Sequence, residues 1–286
     1  MQGLLVVNKP GGVTSRDVVN RVQRLVRPMK VGHAGTLDPL ATGILVLCLG
    51  SATRLTEFIQ RMPKHYRSTF LLGRQSETDD VEGEVISRLE CPQPTPQQVA
   101  ETLPSFLGKI EQVPPKYSAL NVAGRRAYDL ARQGVSFELP ARSVHIYSLN
   151  LVKYQYPKLE LDIVCGGGTY VRSLGRDIAH KMETFAVMSA LQRTAIGEFC
   201  LEEAHHPATL TADGIPHLLL PLLAAVPSLP KIQLSDAELT LVRSGQSICR
   251  DPETAGDQIA AISPRGELCA ILVRRHDGWG PERNLM

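Results

Sequence analysis

The stretch GHAGTLDPLATGILVLCLG, residues 32–50, joins a glycine-rich loop to an unbroken apolar run. Pro39 pushes the residue before it out of the helical region, which sets Asp38 on extended or turn backbone with its carboxylate held at one angle. Gly32, Gly35 and Gly43 let the chain fold tightly around it. Taken alone, this is a turn with a capping aspartate. The run at 44–50 changes the weight of that reading. A continuous apolar segment closed by glycine is the pattern of a strand buried on both faces, so Asp38 is tethered to the core.

Upstream, LLVVNKP (4–10) reads as a short buried strand ending at a turn. Ser15 is placed to cap a helix whose apolar residues Val18, Val19, Val22, Leu25 and Val26 share one face, and Pro28 ends it. Downstream, SATRLTEFIQR (51–61) reads as a short helix, and KHYRSTFLLG (64–73) as a strand with Tyr66, Ser68, Phe70 and Leu72 on one face. Thr95, Pro96 and Gln98 form an N-terminal capping signal for a helix to about residue 103. Residues 113–134 read as an extended lead into a basic helix carrying Arg125, Arg126 and Arg132. Strands are expected at 142–153 and 158–165, and GGGTYVRSLGRDIAHKM (166–182) as a helix burying Val171, Leu174 and Ile178. A Pro- and Leu-rich stretch at 204–230 marks a boundary, and AISPRGELCAILV (261–273) reads as a hairpin turning at Pro264, Arg265 and Gly266. Strands and helices are interspersed without regular alternation. The expected class is therefore α+β, with a mixed, largely antiparallel central sheet flanked by helices.

The chain has 286 residues, 43% apolar and 21% charged, enough for one large domain and a small one. No apolar run approaches a membrane span, and the N-terminus lacks a charged lead and a signal-type apolar block, so a cytoplasmic protein is expected. The six cysteines are dispersed, without a CxxC pair, and histidines do not cluster at ligand spacing; neither a metal site nor a disulfide framework is expected. Net charge is only +2, but residues 1–74 carry eleven Lys or Arg against three acids, a local +8. This asymmetry points to a polyanion near the first segment, although solvated helix faces account for Arg21, Arg24 and Arg27 equally well.

A buried, oriented carboxylate can be a general base, a nucleophile or a stabiliser of positive charge, and it needs a partner to remain ionised. Arg172, in the first turn of a helix preceded by Gly166, Gly167 and Gly168, is the best candidate. Tyr66 and Tyr170 are the aromatics expected near Asp38. His33 is placed either as a base or as a hydrogen-bonding, RNA-contacting group. The acidic cluster SETDDVEGE (76–84) lacks calcium-loop spacing and reads as a solvated loop.

These residues carry a resemblance. LLVVNKPGGVTS, VGHAGTLDPLATGILVLCLGSATRLTEF, the KHY at 64–66, LGRQSETDDVEG, VPPKYSALNVAGRRAYDLAR, GGGTYVRSLGRDIA and LQRTAIGEF together resemble the TruB family of tRNA pseudouridine synthases, in the family's order, over about residues 3–200. The resemblance implies the pseudouridine synthase fold with a catalytic domain at 1–229, an RNA-gripping insertion at about 113–142 and a small β-rich, PUA-like domain at 230–286. It implies that Asp38 is catalytic, acting on uridine 55 of the tRNA T loop after that base is flipped out. Cleavage of the N-glycosidic bond, rotation of the uracil and rejoining through carbon 5 would follow. By the same resemblance Tyr66 stacks on the extruded base, Tyr170 supports it, Arg172 pairs with Asp38, Leu191 supplies an apolar contact that excludes water, and His33 touches RNA near the extrusion site. No cofactor is implied, because the uracil stays in the pocket and no water needs a second carboxylate to activate it. The expected partner is tRNA through its T stem-loop, with no protein partner and no membrane, and the expected state is a monomer. Two departures stand out: Asn121 where the family usually has lysine, and Gly167 where it often has lysine, so two positive charges near RNA are missing. The alternative function is a tRNA-binding folding chaperone that acts by remodelling the loop. A uracil-releasing glycosylase would require a second carboxylate that the motifs do not supply.

Overall fold

The strands follow from the apolar runs, and their order shows why Asp38 sits where it does. The computed structural model describes residues 1–118, 120–122, 124–250, 256–276 and 278–286. In chain order it contains β1 Gly3–Lys9, α1 Ser15–Leu25, β2 Val31–His33, β3 Thr42–Leu49, α2 Thr56–Arg61 and β4 Lys64–Leu72. A small ribbon, β5 Arg74–Gln75 and β6 Ile86–Ser87, precedes α3 Pro96–Thr102 and β7 Gly108–Gln112. A second ribbon, β8 Asn121–Val122 and β9 Arg125–Arg126, leads into α4 Ala127–Arg132, then β10 Arg142–Gln155, β11 Lys158–Cys165, α5 Val171–Lys181, β12 Ala186–Ile196 and β13 Phe199–Cys200.

The nine-stranded sheet runs β1-β3-β12-β4-β11-β10-β7, with β2 added to β3 and β13 to β12. Every pairing in it is antiparallel except β3 with β12, which meet in parallel at Thr42 and Arg193's neighbour Gln192, and at Gly43 and Arg193. The mixed, largely antiparallel expectation holds. On β4, Tyr66, Ser68, Phe70 and Leu72 are buried and His65 and Arg67 exposed, the period-2 pattern of a strand with one face inward. That inner face packs on α5 through Val171, Leu174 and Ile178. The approach is closest at Gly175, where a Cβ would lie 2.0 Å from Phe70 Cε1. Gly175→Ala is expected to cost about 3 kcal/mol through overpacking, seen as a lower urea midpoint; an unchanged midpoint refutes the close contact.

The remaining chain holds the short α6 Ile215–Leu218 and then β14 Lys231–Gln233, α7 Asp236–Arg243, β15 Gln258–Ile262, β16 Leu268–Arg275 and β17 Gly278–Asn284. These four strands form a sheet in the order β14-β15-β16-β17. One of its faces lies under Val242 of α7. Ala260, Leu268, Ile271 and Leu285 instead share a core with Leu4, Val6, Ile44 and Val46 of the large sheet. So short a segment cannot build two apolar faces alone, and it borrows one. Arg283 fastens the junction, pairing with Glu57 at 2.6 Å and lying over the Phe58 ring at 4.8 Å. No helix among the described residues is long and apolar enough to cross a membrane.

Two local expectations are corrected. The cap of α1 is Thr14, in a reciprocal box with Asp17, and not Ser15; Ser15 is buried and its hydroxyl serves another loop, as described below. Among the described residues of 113–134 only Ala127–Arg132 is helical. Gly124, at φ +86°, turns the preceding residues back as a ribbon, which a helix there would forbid. Residues 119 and 123 of this segment lie outside the described residues.

Candidate active site

The loop between β2 and β3 is shaped by two glycines at positive φ, Gly35 at +105° and Gly43 at +100°. It is then pinned from its underside. Ser15 Oγ accepts from the Leu37 amide at 2.9 Å and donates to the Leu37 carbonyl at 3.2 Å. Lys9 Nζ, at the buried end of β1, donates to the carbonyls of Val13 (2.7 Å), Pro10 (2.9 Å) and Pro39 (3.2 Å). Burial pulls the Lys9 pKa down to about 8 against the opposing attraction of Asp38. The Gly12 amide also donates to the Pro39 carbonyl, and the Ala41 amide to that of Asp38. Backbone on both sides of Asp38 is thereby fixed.

Its carboxylate meets Arg172 at the second position of α5. Nε and Oδ2 are 3.0 Å apart and Nη2 and Oδ1 3.1 Å, a bidentate pair. The guanidinium continues past Asp38: Nη1 donates to Asp80 Oδ2 at 3.2 Å and to the Thr78 carbonyl at 2.9 Å, and Nη2 to the Tyr117 carbonyl at 3.1 Å. Arg172 and Asp80 keep only 6% and 3% of their side-chain surface, whereas Asp38 keeps 30%. One carboxylate therefore faces out of a clamp whose other members are sealed. Burial raises the Asp38 pKa, Arg172 opposes that, and the like charge of Asp80 adds to it.

The acidic stretch at 76–84 is thus not a solvated loop. Asp79 adopts φ +60°, which lets two successive carboxylates address one helix: Asp80 reaches Arg172 and Asp79 reaches Arg176, one turn on, at 2.8 Å. The remaining oxygen of Asp80 accepts from Thr78 Oγ1 (2.6 Å) and the Glu82 amide (3.0 Å). No signal within the stretch announces this burial, because the cation arrives from a segment 92 residues away.

Tyr66 and Leu191 lie in one apolar cluster with Leu37 and Ala41, which brackets Asp38. Burial holds the Tyr66 phenol above its ordinary pKa, hence neutral. Tyr170 caps the start of α5, and its backbone is held at both ends by Gln112, whose Oε1 accepts from the amide at 2.8 Å and whose Nε2 donates to the carbonyl at 3.1 Å. His33 stands at the end of β2, where burial, then Arg16 and Arg193, lower its pKa and keep the imidazole neutral. Its Nδ1 is buried with no hydrogen-bond partner among the described residues. The structure therefore brings Asp38, Arg172, Tyr66 and Leu191 together, with Tyr170 beside Arg172 and His33 at the entrance to the loop.

Sequence reasoning missed Lys9, Asp80 and Arg193. Two had a legible signal: Lys9 lies on the strand that begins with the apolar run Leu4–Val7 and shares the phase of Leu5 and Val7, and Arg193 shares the inward phase of its strand with Leu191. Gly167, read as a missing lysine, is constrained by its surroundings, since a Cβ there would lie 2.5 Å from the Gln60 carbonyl oxygen.

Known proteins resemble this chain along most of its length. The model of the TruB family pseudouridylate synthase N-terminal domain matches residues 23–171. The chain is 38% identical to the tRNA pseudouridine synthase B of Dehalococcoides mccartyi over 99% of its own length and 96% of that protein's. It is 40% identical to the protein of the same name from Leifsonia xyli subsp. xyli (94% and 92% covered) and 39% to that of Thiobacillus denitrificans (98% and 90%). Among solved structures, the fold matches a chain of a Cbf5-Nop10-Gar1 complex with a TM-score of 0.76 at 22% identity, covering 99% of this chain and 85% of that one. A family model spanning the aspartate loop and relatives aligned along nearly the whole chain place this protein in the TruB family of pseudouridylate synthases, with the pseudouridine synthase fold.

Proposed function

We propose that the protein is a tRNA pseudouridine synthase that isomerises uridine 55 of the T loop, with Asp38 as the catalytic residue. The observation that carries this reading is the bidentate Asp38–Arg172 pair on a loop fixed from below, with only the aspartate open to the outside. A carboxylate so oriented meets a flipped-out nucleotide without reorganising, which is where catalytic advantage arises. Tyr66 stacks on the extruded uracil, Leu191 and Leu37 close the apolar side against water, and Tyr170 supports the base. Neutral His33 contributes a hydrogen bond to RNA. Cleavage of the N1–C1′ bond at Asp38 leaves the bonding pair on the uracil, which turns in the closed pocket and bonds to C1′ through carbon 5; the proton then lost from carbon 5 balances the one gained at N1.

Asp80 does not supply a glycosylase with its second carboxylate, because it lies sealed behind Arg172. A chaperone that only remodels RNA has no use for a clamped aspartate, so the enzyme reading is preferred. The 113–142 insertion grips the RNA. Its root is fastened to α5 by Ser173 Oγ and Arg176 Nη2, both donating to the Val113 carbonyl, at 2.9 and 3.0 Å. In this reading the small C-terminal sheet is the PUA-like domain, and the protein works as a cytoplasmic monomer without a cofactor.

The test is incubation with an unmodified tRNA transcript followed by mapping of pseudouridine. The expected result is modification at the T-loop uridine and none in a transcript carrying cytidine there; modification elsewhere, or none with bound tRNA, overturns the assignment. A pH dependence accompanies it. Reaction needs ionised Asp38, and its pKa is raised, so the rate is expected to rise with pH through a limb above the ordinary aspartate range. A rate constant down to the ordinary aspartate pKa contradicts this.

A further inference from the structure

Arg193 of β12 is 1% exposed, and its charge near His33 accounts for none of its own hydrogen bonds. Burying a guanidinium is costly unless its donors are met, and among the described residues no carboxylate lies within ion-pair distance of it. Three backbone carbonyls meet it instead. Nε donates to Ile44 at 2.8 Å, Nη2 to Gly35 at 3.1 Å and Nη1 to Thr36 at a longer 3.5 Å. Gly35 and Thr36 precede Asp38, and Ile44 follows it. One side chain thus holds both ends of the aspartate loop. The backbone of Arg193 meets the same loop, since it pairs with Gly43, where a Cβ would come within 2.2 Å of the Arg193 oxygen. Across the sheet, Arg193 is also the register partner of Tyr66.

We propose that Arg193 is a positioning residue for the isomerisation: its planar fork staples the two ends of the aspartate loop and aligns Asp38 and Tyr66 as one unit. This rests on the assignment of Asp38 as the catalytic group. Arginine suits this role because its nitrogens stand apart in a planar fork and reach Gly35 and Ile44 at once, whereas a lysine ammonium gathers its acceptors around a single point. Donation from one rigid guanidinium to the carbonyls of Gly35, Thr36 and Ile44 ties the turn at 35–36 to the strand at 44. Lys9 holds the loop at Pro39 and Ser15 holds it at Leu37, so removing Arg193 loosens the alignment without releasing the loop.

The experiment measures single-turnover pseudouridine formation and tRNA affinity for Arg193→Lys and Arg193→Ala, with Asp38→Asn alongside. The expected result for Arg193→Ala is a rate lower by about 100-fold with tRNA affinity within about threefold, because small misplacements of a reacting group are expensive in rate. Arg193→Lys falls between this and wild type. Millimolar guanidinium, filling the space left in Arg193→Ala, restores part of the rate. A rate within about threefold of wild type in the alanine variant overturns the proposal. So does a parallel loss of rate and tRNA affinity without guanidinium rescue, the behaviour of a purely structural residue. Should Arg193→Ala not fold, Arg193→Lys decides, and an undiminished rate in it overturns the proposal. Wild-type turnover by Asp38→Asn would instead remove the assignment of Asp38, and is read separately.

Discussion

Asp38→Asn is expected to abolish pseudouridine formation while tRNA affinity stays within about tenfold of wild type, since it deletes one negative charge next to a polyanion without altering shape. The fold is expected to survive. A carboxyl whose pKa is higher in the folded than in the unfolded chain costs stability once ionised, so above the unfolded pKa its removal is not a loss to the fold. The asparagine oxygen still accepts from Arg172, and Asp80 continues to balance the guanidinium. Rate and stability should therefore separate cleanly. The measurement is pseudouridine mapping together with tRNA binding and thermal unfolding of the same preparation. Loss of binding in proportion to loss of turnover sinks the catalytic assignment, because it would make Asp38 a structural support of the RNA site.

Arg172→Met is expected to do both kinds of damage. It strands Asp80 in a sealed position with no cation, and breaking one side of a buried pair costs about 3–5 kcal/mol. It also releases Asp38 from its two-point hold and frees the carbonyls of Thr78 and Tyr117, which loosens the 76–84 loop and the root of the insertion together. Turnover should be lost and the urea midpoint should fall. Arg172→Lys should recover part of the stability and little of the rate, since a single ammonium cannot face two carboxylates in fork geometry. Adding Asp80→Asn to Arg172→Met should restore stability, as the uncompensated charge is removed, without restoring activity. Equal stability of Arg172→Met and wild type contradicts the clamp.

The clamp explains why the acidic stretch could not be read correctly in isolation. SETDDVEGE has the composition of a solvated loop, and Glu77 and Glu82 differ from Asp80 by nothing that a local pattern records. What distinguishes Asp80 is that Arg172 and Arg176 arrive from one helix face, and that Asp79 turns through positive φ to aim neighbouring side chains at it. Ser15 shows the same limit at a smaller scale. Thr14 and Ser15 are both competent caps, and the choice fell to Thr14 because Ser15 is claimed by the backbone of Leu37, 22 residues away.

The elements themselves were decided locally. Apolar runs, capping boxes and the alternation on β4 depend on neighbours a few residues apart, so strands β1, β3, β4 and β11 and helices α1, α3 and α5 were legible with their buried faces. The loop around Asp38 was legible for the same reason, since Pro39 and the glycines act on their own backbone. Its chemistry came from the resemblance of seven stretches to one family. The pairing of Asp38 with Arg172, across 134 residues, was already expected from the sequence and its resemblance; the tertiary structure alone decided the other buried charges and their partners, with Asp80 behind that pair and Lys9 and Arg193 beneath the loop. A charge is tolerated in the interior only when partners from distant segments converge on it, and that convergence is a property of the packed chain, absent from any window of its sequence.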